Sequence, residues 1–189
     1  MTPERHEAAP RPLGILAGSG RLPLAIAAAA QARGRPVHIV GIDGFADAEI
    51  GRYSHERVNL GQVGRMIGSL QRAGCIDMII AGALRRPNLW ALKIDSGFFR
   101  SIGTVLKLTR GGDDSVLRRV VRFFEAQGFR VCGVPDVAPD LLAPGGVLGL
   151  VQPTAEQRVA ITRGTALVRA LGAFDVGQGT VATPSGVVV

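Results

Sequence analysis

Three features of this 189-residue chain predict an α/β fold with a Rossmann-like, mainly parallel sheet and helices on both faces. Short apolar runs rich in Val, Ile, Leu and Ala alternate with segments of helical spacing. Glycine-containing turns punctuate the alternation. Ala, Val, Leu and Ile make up most of the 47% hydrophobic share, with aromatics at 5%, and such residues suit strands buried under helices on either side.

The first unit is strand, glycine turn, helix, strand. Residues 13–17 form an apolar run that ends in Gly18-Ser19-Gly20. The Ala-rich stretch 22–33 reads as a helix stopped by Gly34, and 37–42 is a second β-branched run closed by Asp43-Gly44. The pattern then repeats. Val63, Ile67 and Leu70 mark a helix over 62–72, ended by Gly74, and a further strand runs over 77–81 to Gly82. Helical spacing continues over 98–108. In 113–127, Val116, Leu117, Val120, Val121 and Phe124 mark a buried face. A last strand is expected at 129–134.

Residues 1–12 read as a loose tail, 13–134 as the Rossmann-like domain, and the Pro- and Gly-rich 135–153 as a linker. Thr154, with Gln157 three residues on, is a capping box opening a helix to about residue 171. A hairpin turned at Pro184-Ser185-Gly186 follows. Residues 154–189 are thus expected to be a truncated start of a second, carboxyl-terminal α/β domain. An end on Val187-Val188-Val189 would otherwise leave an unpaired apolar edge.

Composition narrows the function classes. The net charge of +7 suits either an anionic partner or a solvated basic surface. The arginines are scattered, and one Trp and one Tyr are too few for a base-stacking platform, so no nucleic-acid partner is expected. Cys75 and Cys132 form no CxxC pair and read as buried thiols in a reducing cytoplasm. No apolar run reaches membrane-spanning length. His6, His38 and His55 show no ligand spacing, and no GxSxG nucleophile turn occurs.

The candidate site residues lie where strands hand over to helices. Gly18, Ser19, Gly20 and Leu22 are expected to form a turn whose backbone amides point outward at the positive end of a helix dipole, a place that binds phosphate. Pro23 stands where a third dinucleotide-type glycine would fall, and no GK[ST] follows, so the turn is neither fingerprint. Asp43 suits either a ribose hydroxyl or its own turn. Gly82 and Arg86 follow a strand's carboxyl end, where guanidinium forks meet phosphate or stand in solvent. Asp113 and Asp114, after Gly112, suit either hydrated Mg2+ or a helix start.

The order of these segments resembles one family. Leu16-Ala17-Gly18-Ser19-Gly20-Arg21-Leu22-Pro23 precedes Gly41-Ile42-Asp43-Gly44-Phe45-Ala46-Asp47, then Leu60-Gly61-Gln62-Val63-Gly64. Ala81-Gly82-Ala83-Leu84-Arg85-Arg86-Pro87, Gly112-Asp113-Asp114, the run 125–131, Leu141-Leu142-Ala143-Pro144-Gly145-Gly146-Val147-Leu148 and Asp175-Val176-Gly177-Gln178 complete it. Singly these motifs are common; eight in this order are specific, and they resemble the UDP-2,3-diacylglucosamine pyrophosphatases of the LpxI type. The resemblance implies hydrolysis of UDP-2,3-diacylglucosamine to UMP and lipid X in lipid A biosynthesis, with Mg2+ as cofactor. It implies substrate contacts at Gly18, Ser19, Gly20, Leu22, Asp43, Gln62, Gly82, Arg86, Gly112 and Gln178, with metal contacts at Asp113 and Asp114. A cytoplasmic protein peripheral on the inner-membrane surface follows, and a homo-oligomer is left open. The family's Glu-Gly-Thr-Asp motif has no counterpart here, so no catalytic residue is carried over, and a weakly active or inactive form is expected. The alternative from the residues is a non-catalytic nucleotide- or phosphate-binding module.

Overall fold

The computed structural model describes residues 10–84, 113–174, 177, 179–183 and 185–188. Within them the strands are β1 (Leu13–Ala17), β2 (Val37–Ile42), β3 (Ser54–Val58), β4 (Asp77–Ala81) and β5 (Arg130–Val131), joined in one sheet of order β3-β2-β1-β4-β5. Every pairing is parallel, with Leu16 opposite both Val40 and Ile80. The helices are α1 (Leu22–Ala32), α2 (Val63–Arg72), α3 (Asp113–Ala126), the short α4 (Val134–Val137) and α5 (Ala155–Gly172).

Strand alternation sends side chains to opposite faces, and helices cover both. Leu13, Ile15 and Ile39 pack with Ile26, Ala27 and Ala30 of α1 and with Val137 and Ala138. Leu16, Val40, Ile42 and Met78 pack with Met66 and Leu70 of α2 and with Phe124 and Phe129. All of β1 and β2 is buried. The mainly parallel α/β architecture expected from the sequence is therefore present.

Four details differ from the sequence expectation. The polar run Ser54–Val58 is a fifth strand; as an edge strand with its first residues exposed, it needs no apolar pattern. The last strand is only Arg130–Val131, because the chain turns into α4 at Val134. That turn, and the 3-10 turn Pro139–Leu141 after it, begin the stretch expected to be loop. Leu117, expected on a buried face, is 51% exposed. The helix expected at 98–108 lies outside the described residues.

The amino edge of the sheet is tied by charge. Asp77 accepts two hydrogen bonds from Arg130, both 2.7 Å, and one from Arg35, also 2.7 Å. The Arg130 fork holds the Asp77 carboxyl below the usual carboxylate range. Cys75 is buried and its thiol is pushed up to about 11 by burial; Cys132 is half-buried, and both are free.

The described residues divide into two compact units, one of 10–84 and 118–142, the other of 113–117 with those from 143 onward. In the second, Thr154 accepts from the Gln157 backbone while the Gln157 side chain accepts from the Thr154 N–H at 2.8 Å, the expected capping box. Helix α5 packs on an antiparallel hairpin of β6 (Val181–Thr183) and β7 (Gly186–Val188). A Cβ on Gly164 would stand 3.2 Å from Ala182 Cβ, so the glycine permits the close crossing.

Candidate functional site

The sheet order places a topological switch between β1 and β4: the chain leaves β1 toward β2 on one side and builds β4 and β5 on the other. Ligands of open α/β sheets bind outside the carboxyl ends at such a point. Both exits there are glycine turns, Gly18-Ser19-Gly20 after β1 and Gly82-Ala83-Leu84 after β4.

Backbone bonds bind the two turns together. Gly18 N–H donates to Ala81 O at 2.8 Å, Ser19 N–H to Ala83 O at 2.9 Å, and Ala83 N–H to Ser19 O at 2.9 Å. The Ser19 hydroxyl adds a further bond to Ala83 O at 2.8 Å. This approach requires glycine. A Cβ on Gly18 would lie 2.7 Å from Ala83 O, and one on Gly82, whose φ is +90°, would lie 2.7 Å from Ser19 O.

Helix α1 starts immediately afterwards. Its cap residue Arg21 makes no side-chain capping bond, its first turn carries no acid, and Pro23 removes one donor. The opening amides and dipole of α1 are thus left to solvent or an anion. Leu22, the first helical residue, is 45% exposed.

The other expected residues are placed as follows. Asp43 directly follows β2, next to β1 in the sheet; its N–H donates to Val58 O at 2.9 Å and its side chain is exposed. Gln62 lies two strands from the switch, before α2. Its Oε1 accepts from Asn59 N–H at 2.9 Å and from Arg65 at 3.3 Å, so that oxygen is engaged within the turn. Asp113 and Asp114 open α3 among the described residues. Arg86, Gly112 and Gln178 lie outside the described residues.

Two features were not foreseen. A cavity of about 300 Å3 lies against the first turn of α1, lined by Arg21, Leu24, Asp47, Glu49, Arg52 and Tyr53. Its residues belong to segments with no shared sequence signal. His38, expected only to begin a strand, is buried, with Nδ1 2.8 Å from Ser54 Oγ and Nε2 2.9 Å from Ser69 Oγ. Burial lowers its pKa below 6.5. Hydrogen bonds from Arg65 and then Ser69 hold Glu56 below the usual carboxylate range. His38 thus ties β2, β3 and α2 together; β-branched neighbours alone gave no signal of it.

Chemically, the switch point offers the uncapped start of α1 and an exposed carboxylate at Asp43, a set suited to a phosphorylated ligand, whereas the N–H groups of Gly18 and Ser19, expected to face a phosphate, are taken up in pairing the two turns. Among the described residues no three His, Cys, Asp or Glu side chains cluster to hold a metal. No helix among them is long and apolar enough to cross a membrane.

The UDP-2,3-diacylglucosamine pyrophosphatase LpxI of Caulobacter vibrioides is 34% identical over 171 residues, which is 90% of this chain. The chain spans 61% of the length of that relative. The family model described as the LpxI N-terminal domain matches residues 12–141, from just before β1 through the 3-10 turn at Pro139–Leu141. That match takes in the whole parallel sheet and both glycine turns at its switch point, and by it the chain belongs to the LpxI N-terminal domain family.

Proposed function

We propose that this chain provides the nucleotide-gripping part of a UDP-2,3-diacylglucosamine pyrophosphatase of lipid A biosynthesis. Water cleaves the pyrophosphate, a P–O bond breaks, and UMP and lipid X leave. The observation that carries the reading is the pair of backbone-bonded glycine turns at the switch point, in a chain 34% identical to a relative of that name.

In this reading the phosphates meet Gly20 and the start of α1, with Leu22 beside them, while Gly18 and Ser19, whose N–H groups donate to Ala81 O and Ala83 O, shape the turn that carries them. Asp43 accepts from a ribose hydroxyl. Gly82 lets the β4 exit come close, and Arg86, a few residues on, supplies a fork for phosphate oxygens. Gln62 lines the far rim, and Gly112 and Gln178 add contacts from later segments. Asp113 and Asp114 would hold Mg2+ together with ligand oxygens, since two carboxylates alone leave most of its octahedral sphere open. When bound, that ion would neutralise charge at the pyrophosphate. The substrate's two acyl chains and the +7 charge favour work at an anionic inner-membrane surface from the cytoplasmic side.

The test has two arms. Calorimetry should detect UMP and lipid X binding, and Arg86→Ala should weaken it by about 1–3 kcal/mol, the range of a charged hydrogen bond. UMP release with Mg2+ should be slow for residues 1–189 and much faster for a chain continued with the remaining part of the Caulobacter relative, because catalytic groups act as a unit. Comparable turnover by both would move the catalytic carboxylates to Asp113 and Asp114. Binding with no turnover in either would leave a nucleotide-binding module without chemistry, and absence of UMP binding would overturn the reading.

A further inference from the structure

The cavity against the first turn of α1 has no part in the phosphate grip described so far. It holds about 300 Å3, the small end of ligand-pocket sizes, which suits one ring rather than a whole nucleotide. Its floor is apolar, made by Leu24, Ala25 and Ala28 of α1. Its rim is polar and balanced in charge, with the guanidinium groups of Arg21 and Arg52 beside the carboxylates of Asp47 and Glu49. That balance disfavours a phosphate and favours an uncharged group that both donates and accepts. The rim is also held in place. Arg57 donates to Asp47 O at 2.7 Å, and Asp47 Oδ1 accepts the Glu49 N–H at 2.9 Å. Arg52 pairs with Glu49 at 3.1 Å, and Tyr53 N–H donates to the carbonyl of the buried Ile50 at 3.0 Å. Among the described residues, the Arg21 guanidinium and the Tyr53 hydroxyl make no hydrogen bond within the protein.

We propose that this cavity receives the uracil ring of the nucleotide. The proposal rests on the nucleotide-binding reading above. With phosphates at the start of α1 and the ribose at Asp43, the base lies one sugar's reach from Asp43. The cavity rim begins four residues on, at Asp47. The bond from Ala46 N–H to Ile42 O at 2.9 Å folds that stretch back over the end of β2. Arg21 precedes the first residue of α1, so the opposite rim adjoins the phosphate end. Uracil presents two carbonyl acceptors and one ring N–H. Arg21 and Tyr53 donate to the carbonyls, and the second oxygen of Asp47 accepts the N–H. Cytosine has an amino donor in place of one carbonyl and an acceptor in place of that N–H. The same groups would then be left unpaired, which is how a polar site rejects a close analogue.

Calorimetry on the full chain tests this with UMP, CMP and inorganic pyrophosphate, alongside Ala28→Leu and Tyr53→Phe, with melting curves to show that each variant folds. Position 28 is exposed on α1 and leucine is a good helix former, so the larger side chain fills the cavity from its floor. UMP is expected to bind about ten-fold more tightly than CMP, and Ala28→Leu to weaken UMP by about ten-fold while pyrophosphate binding is retained. Tyr53→Phe removes one donor and should narrow the preference for UMP over CMP. Equal binding of UMP and CMP, a preference unmoved by both variants, or an equal loss of UMP and pyrophosphate in Ala28→Leu would overturn the base site and leave the phosphate grip standing. Should Ala28→Leu fail to fold, Tyr53→Phe alone decides. A preference for UMP that the variants erase, in a chain that binds no pyrophosphate, would keep the base site and remove the phosphate grip. Binding of neither UMP nor pyrophosphate would overturn both.

Discussion

Helices α1 and α5 stand in the two units of the chain and are held by opposite means. Helix α1 has no side-chain cap and no acid in its first turn, yet Pro23, Ile26, Ala27 and Ala30 are buried against the sheet. Helix α5 has a complete capping box, an acid at Glu156 in its first turn and Arg169 in its last, yet of its 18 residues only Ala160 and Gly164 are buried. Around it Leu148, Leu150, Val151, Ile161 and Phe174 stand more than half exposed. The contrast teaches that local signals specify a helix while tertiary burial stabilises it, because an isolated helix as short as the 11 residues of α1 is marginal in water.

The largest expected effect tests that contrast directly. Ile39→Ala, at a fully buried position of the first unit, should cost about 2–5 kcal/mol. Val159→Ala, 52% exposed in α5, should stay within about 0.5 kcal/mol. Denaturant unfolding followed by fluorescence and by circular dichroism measures both, and equal losses would break the comparison. Next is Gly82→Ala. A Cβ there combines φ +90° with a 2.7 Å approach to Ser19 O, so a loss above about 2 kcal/mol is expected, with weaker pairing of the two turns in amide exchange.

Thr154→Ala should remove about 1 kcal/mol of α5 stability, the usual worth of an N-cap, whereas Arg21→Ala should leave α1 intact because its side chain caps nothing. Faster exchange in the first turn of α5, and unchanged exchange in α1, is the expected pair of results.

The smallest effect is on pH dependence. His38 has its pKa lowered in the fold, first by burial and further by His55 and Arg72, with Glu56 opposing. The unfolded chain therefore binds the proton more readily. Its contribution is full above about 6.5, the unfolded value, and is lost as pH falls below it. Melting temperatures between pH 7.5 and 5 should fall, and His38→Gln should flatten that slope; an equally steep decline in the variant would place the titration elsewhere.

The sequence by itself determined the strands at Leu13–Ala17, Val37–Ile42 and Asp77–Ala81, which the structure places at those same bounds. Their apolar runs are continuous because both faces are buried, and glycine marks each end. The capping box at Thr154 was equally legible, since its partners lie three residues apart. The family resemblance came from motif order along the chain, which needs no coordinates.

Tertiary structure alone decided the rest. Strand β3 escapes the apolar pattern because an edge position asks little burial of Ser54, His55 and Glu56. His38 gained its partners from Ser54 and Ser69, on two other elements. At the candidate site, Gly18-Ser19-Gly20 and Gly82 were visible as separate turns, but the use of the Ser19 hydroxyl was not. It bonds Ala83, 64 residues away, and only the adjacency of β1 and β4 in the sheet brings those two atoms within 2.8 Å. Short-range hydrogen bonding and burial periodicity are written in consecutive residues. Contacts between strand ends depend on sheet order, which sequence spacing does not encode.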